Sequence, residues 1–221
     1  MEKSTEYCDM PYDPEKHHRR SIRLPGYDYA QAGAYFITIC TQNRACLFGE
    51  VVAGQMRLNE FGRVVKEEWF RSADIREEVQ LFPDEFVVMP NHVHGIIWII
   101  NDDDDVGATR RVAPTRWVAH RVGATRRVAP TDPPRGPASG SIGAIIGQFK
   151  SITTKRINAL RDMPGAPVWQ RNYYEHIIRD ERSLHRIREY IATNSLRWHL
   201  DRENPDRTGR NPDEEMWLGN A

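Results

Sequence analysis

Uncharged, strand-favouring residues run from Phe86 to Met89 and again from Gly95 to Ile100, with Pro90-Asn91 between them. Two such runs meeting at a Pro-Asn turn predict two strands of a buried sheet. Side chains alternate along a strand, so His92 and His94 would share one face while Val93 points to the other. Two adjacent imidazoles can hold a divalent cation and leave positions open for substrate oxygens. They can equally be a hydrogen-bonded, inert start to a strand, and the spacing alone does not choose between the two.

The chain has 221 residues, enough for one core of ordinary size with room for tails or an insertion. Lys+Arg and Asp+Glu balance at 31 each, so a basic surface would have to come from local clustering. Cys8, Cys40 and Cys46 are odd in number and not in ligand spacing, which points to a reducing compartment. No apolar run approaches membrane-spanning length and the first residues lack a signal-peptide core, so a cytoplasmic protein with no membrane partner is expected.

Residues 1–32 are polar, with His17-His18-Arg19-Arg20 and Arg23 forming a basic cluster ahead of Tyr27 and Tyr29. Such an arm is either simply solvated or laid along phosphates, with tyrosines available for base stacking. Ala34 to Thr41 is the first strand, and a shorter one is expected over Leu47 to Val52 with Gly54 in the turn after it. Asn59 would cap a helix to about Ser72, with Phe61, Val64, Val65 and Trp69 as its core stripe. Val79 to Met89 returns to strand. Strand, strand, helix, strand, strand suits an antiparallel α+β layer fold with helices gathered on one face.

Asn101 to Ser141 opens with four aspartates and continues in Arg, Ala, Gly, Pro and Thr, so a disordered insertion is expected there. Within it, Val106 to Thr115 recurs unchanged as Val122 to Thr131. Two short polar copies are too few for a stacked repeat architecture.

Ser141 would cap a helix to about Met163, burying Ile142, Ile145, Ile146, Phe149, Ile152 and Leu160 and leaving Lys150, Lys155 and Arg156 off the stripe. Those cations are a solvated face, or backbone contacts if the site takes nucleic acid. Val168 to Ile178 reads as extended. Asp180 would cap a last helix running to about Asp201, with Leu184, Ile187, Ile191 and Trp198 buried. Tyr190 and Asn194 are one turn apart beside that stripe. Tyr190 is either a half-buried hydrogen-bonding tyrosine or a nucleophile, with the Asn194 amide oxygen as a third, neutral metal ligand.

Tyr35-Phe-Ile-Thr-Ile-Cys-Thr, Met89-Pro-Asn-His-Val-His-Gly, Gln148-Phe149-Lys150, Trp169-Gln with Glu175-His176-Ile-Ile-Arg179, and Tyr190-Ile-x-x-Asn194 follow one another in this order. In this the chain resembles the single-tyrosine HUH transposases, most closely the REP-associated tyrosine transposases, over roughly residues 20–200. The resemblance implies a ferredoxin-like antiparallel sheet flanked by helices. It implies a transposase domain at 33–200 interrupted by the insertion at 101–141, between a basic arm at 1–32 and a tail at 201–221. By similarity, His92, His94 and Asn194 would hold Mg²⁺ or Mn²⁺, and Tyr190 would attack a phosphate of single-stranded or hairpin DNA. The products would be a 5′-phosphotyrosine and a free 3′-OH. Arg19, Arg20, Arg23, Lys150 and Lys155 would contact the DNA. Glu175 and His176 fit the pattern without a step of their own, and the protein would be a monomer or homodimer. A non-catalytic binder of structured single-stranded DNA or RNA, and a replication-initiator or relaxase-type nickase, are the competing readings.

The family is associated with short palindromic repeats, and the internal peptide repeat has a matching property. With four-fold Arg codons, the first two bases of its ten codons read GT, GG, GC, AC, CG, CG, GT, GC, CC, AC, a series identical to its own reverse complement. Each copy is therefore expected to translate a hairpin-forming inverted repeat in the gene. Sequencing the gene checks this: third bases that extend the pairing support it, and third bases that break it leave a coincidence.

Overall fold

The computed structural model describes residues 26–100 and 136–209. The central strand pair is β1 (Gly33–Cys40) against β6 (His92–Ile99), antiparallel in unbroken register from Gly33 opposite Ile99 to Cys40 opposite His92. β7 (Tyr174–Ile178) lies on the outer side of β1, while β4 (Val79–Gln80) and β5 (Phe86–Val88) both pair with the far edge of β6. Helix α1 (Glu60–Ile75) follows the first strand and α2 (Ile142–Leu160) follows β6. Leaving aside the hairpin β2 (Gly49–Val52) and β3 (Gln55–Leu58), the order is βαββαβ, with its fourth strand beside the first and the third between the first and second. That is the ferredoxin-like arrangement expected from the sequence.

Alternation sorts the sheet into two faces. Tyr35, Ile37, Ile39, Val93 and Ile97 pack with α1 and α2, whereas Ala34, Phe36, Ile96 and Trp98 pack with α3 (Glu181–Thr193). Helices therefore cover both faces rather than gathering on one. The two crossover helices share a layer because each links strands of one sheet; α3, added after the last strand, covers the face they leave. Local signals set the helix starts. Asn59, Ser141 and Asp180 each accept the backbone N–H three residues on, meeting a donor that the first turn cannot satisfy.

Some boundaries differ from expectation. The strand expected over Val79 to Met89 is split by a 3-10 turn at Pro83–Glu85, since proline has no N–H to give the ladder. β3 was not foreseen; it returns from β2 through Ala53-Gly54, both at positive φ (51° and 74°), as a tight hairpin turn demands. On α2, Ile157 takes the buried place expected of Leu160, which is exposed. α3 ends at Thr193, well short of Asp201. Arg19, Arg20 and Arg23, and residues 101–135 of the expected insertion, lie outside the described residues. Among the described residues no helix is long and apolar enough to cross a membrane.

α3 is pinned to its face by a buried carboxylate. Glu85 accepts from the indole Nε1–H of Trp98 at 2.6 Å and from the Arg188 guanidinium, one turn-fraction before Tyr190. On the opposite face, Gly95 is needed for packing: a Cβ there would lie 2.4 Å from Trp69 and 2.9 Å from Phe86, whose rings stack 4.5 Å apart. Gly95→Ala is therefore expected to lower stability by about 1–3 kcal/mol through overpacking. Thermal or urea unfolding measures it, and a neutral result would mean that the ring stack slides aside freely.

Candidate active site

On the α3 face of β6, His92 and His94 point the same way, with their Nε2 atoms 3.0 Å apart. His92 Nδ1 lies 2.8 Å from Asn91 Oδ1, and His94 Nδ1 lies 2.8 Å from Thr38 Oγ1 on β1. α3 sets Tyr190 above them: its Oη is 3.3 Å from His94 Nε2, and its ring meets that of Phe36 edge-on. Three sequence-predicted residues, His92, His94 and Tyr190, thus meet in one buried cluster, and the fourth, Asn194, is buried as well. Tyr190 belongs to the buried stripe of α3 itself rather than lying beside it.

A further residue completes the group. After Thr193 the chain leaves the helix, turns, and passes through a short 3-10 segment at Trp198–Leu200. Continued as α-helix, it would have carried Asp201 about 10 Å along the axis from Asn194. Instead the carboxylate comes back: Asn194 Nδ2 donates to Asp201 Oδ2 at 3.3 Å, and that oxygen is 3.7 Å from His92 Nε2. Ligand atoms of His92, His94 and Asp201 lie within 4.8 Å of one another.

These residues fit a cation. Burial, reinforced by Arg44, pushes the His92 pKa down to about 3, and burial followed by repulsion from His92 holds His94 well below its ordinary value. Both rings are therefore neutral at neutral pH and can offer lone pairs. Two nitrogens 3.0 Å apart match adjacent corners of a coordination shell with bonds of about 2.1 Å. Asn194 Oδ1 is buried with no hydrogen-bond partner among the described residues, an acceptor in want of a positive group. Carboxylate and amide oxygens favour a hard ion, imidazoles a Zn-type one, so the donor set admits either. Cys40, opposite His92 across the sheet, is pushed up to about 12 by burial and Glu203, and stays a neutral thiol.

No protein-family model matches the chain. An uncharacterized protein of Haemophilus influenzae is 42% identical over 190 residues, covering 86% of this chain and 95% of that protein. The chain belongs to that protein's family. Among solved structures it is similar to a REP-associated tyrosine transposase bound to a REP hairpin, at 16% identity and TM-score 0.47, over 80% of this chain and 74% of that one. A candidate transposase from Deinococcus radiodurans aligns with TM-score 0.38 at 16% identity, over 76% and 94% of the two chains.

Among the described residues, the two cations expected to meet DNA, Lys150 and Lys155, are not gathered at the pocket. The Lys150 ammonium donates to the carbonyls of Gln170, Arg171 and Asn172 at 2.9, 3.3 and 3.1 Å, which uses all three of its hydrogens. Burial lowers its pKa to about 8. It fastens a loop, and is not the solvated cation that helical phase predicted. Lys155 is exposed on α2, across the sheet from the histidines, and Arg156 pairs with Glu67 and Glu68 of α1. His176, opposite Phe36, shares the pocket's face of the sheet; Glu175, opposite Ile37, is on the other.

The sequence reading missed Thr38, Asn91 and Asp201. Asn91 had been seen only as half of a turn signal, and Asp201 as the end of a helix. Asp201→Ala is expected to weaken Mn²⁺ binding by at least about tenfold, measured by titration calorimetry. In the unsubstituted protein, Mn²⁺ at about 100 times its Kd should add about 2.7 kcal/mol of stability. Equal unfolding curves with and without Mn²⁺ would remove the cation from the account.

Proposed function

We propose that the protein is a metal-dependent single-stranded DNA endonuclease and strand transferase, acting on hairpin-forming DNA through a 5′-phosphotyrosine. The observation that supports this most is a tyrosine hydroxyl 3.3 Å from one of two neutral imidazoles, beside a carboxylate and an unpartnered amide oxygen. A purely structural tyrosine has no need of that company. The sequence motifs bearing these residues, in their order, support it from a separate direction.

In this reading His92, His94 and Asn194 hold Mg²⁺ or Mn²⁺, joined by Asp201. The bound ion would supply Lewis acidity, neutralising the scissile phosphate and polarising phosphorus towards attack. Tyr190 Oη forms the new bond to phosphorus as the bond to the 3′-oxygen breaks, and the phenol proton is matched by the one that the 3′-OH finally carries. One phosphodiester replaces another, so attack by a second 3′-OH can reverse the step and join a different strand. Phe36 and the α3 stripe hold the phenol in place. Such a protein would act in the cytoplasm.

The pocket is closed by its own chain: His92, His94, Asn194 and Asp201 are at most 3% exposed. In this reading a phosphate would reach Tyr190 only after part of that cover moves. That closure is the one observation favouring the second reading, a non-catalytic binder of structured single-stranded nucleic acid.

The test is a covalent adduct. Hairpin DNA with a single-stranded flank, incubated with the protein and Mn²⁺, should give a slow band on a denaturing gel. A 3′-end label should travel with the protein and a 5′-end label should be released. Tyr190→Phe should reduce the adduct to background with folding and DNA affinity unchanged. Tight hairpin binding with no adduct, by a protein that does bind Mn²⁺, would favour the binder.

A further inference from the structure

Asn91 is fully buried, and each polar atom of its side chain is engaged. Nδ2 donates to the carbonyl of Glu203 at 2.6 Å and to that of Arg44 at 3.1 Å; Oδ1 faces His92 Nδ1 at 2.8 Å. The amide has one orientation only. Rotated by half a turn, it would set its oxygen against two carbonyl oxygens and its hydrogens against the imidazole. With an acceptor fixed at Nδ1, the neutral ring of His92 carries its hydrogen there and keeps the Nε2 lone pair on the pocket side.

His94 differs. Its Nδ1 meets the hydroxyl of Thr38, which can donate or accept, so that contact does not fix its tautomer. In the metal-free pocket two lone pairs 3.0 Å apart would repel, so the hydrogen between the rings belongs to His94 Nε2. One histidine is set in advance and the other is free to adapt.

We propose that Asn91 is a positioning residue for the cation site: it locks His92 in the Nδ1–H form and, through the Glu203 carbonyl, ties that ring to the turn that brings in Asp201. Two parts of the site far apart in sequence are thereby joined by one side chain. Glu203 N donates to Asp201 Oδ1 at 2.7 Å, so the tether reaches the carboxylate itself. The proposal rests on reading the histidine pair as a cation site, but its first consequence is present without the ion.

Long-range ¹H–¹⁵N correlation spectra of ¹⁵N-histidine-labelled, metal-free protein report the tautomer of each ring directly. His92 is expected as Nδ1–H in the unsubstituted protein and as a mixture in Asn91→Leu. Asn91→Asp keeps an acceptor for the ring but loses both tethering hydrogens. It should restore the His92 tautomer while binding Zn²⁺, a diamagnetic probe, about tenfold or more weakly than the unsubstituted protein. His92 found as Nε2–H in the unsubstituted protein would overturn the proposal, a result that needs no variant to fold. So would a folded Asn91→Asp that binds Zn²⁺ as tightly as the unsubstituted protein. An Nδ1–H His92 in a protein that binds no divalent ion would instead sink the cation-site reading and with it the proposed function.

Discussion

The eight-residue register between β1 and β6 is the constraint on which the pocket depends. It puts Thr38 opposite His94 and Cys40 opposite His92, and by parity it turns both imidazoles towards the face that α3 covers. A slip of one residue would send the rings into the aliphatic layer beneath α1 and α2. That layer is lined mainly by Val64, Val65, Trp69 and the isoleucines of α2, far from Tyr190 and Asp201. The hydrophobic pattern that fixes the sheet therefore also fixes the chemistry.

Register alone does not bring the phenol. Tyr190 reaches His94 because α3 is held at a set height over the sheet, and Glu85 holds it. That carboxylate is buried, and burial pushes its pKa up even though the Trp98 and Arg188 hydrogen bonds pull it down. A buried acid retained despite that cost is satisfied from two sides, by the sheet through Trp98 and by the helix through Arg188. Loss of Arg188 would leave the buried Glu85 charge without its cation, two residues along α3 from Tyr190.

The parts of this structure that could be read in advance are those whose cause is local. Alternation at 92–99 gave the shared face of the histidines, and short polar residues ahead of apolar periods gave the caps at Asn59, Ser141 and Asp180. Tyr190 and Asn194 were visible as a pair because one helical turn separates them. Asp201 was hidden because its place depends on where α3 stops, and no glycine or proline marks that stop; what bends the chain back includes the carboxylate's own bond to Asn194. Lys150 misled for a related reason. Helical phase says which side of α2 a residue occupies, but not that the loop at 170–172 will fold its carbonyls onto that side. The placement of α3 on the second face was equally non-local, since it depends on which face the crossover helices had already taken.

The turn that brings Asp201 to His92 is itself held by several contacts. The contacts holding Asp201 to Asn204 down are unequal in strength. Arg44 pairs with Glu203 at 2.8 Å but is half exposed, and such an ion pair is worth about 0–1 kcal/mol. The buried hydrogen bonds from Asn91 to Glu203 and from Asn194 to Asp201 hold more firmly, because breaking them strands polar groups that water does not reach.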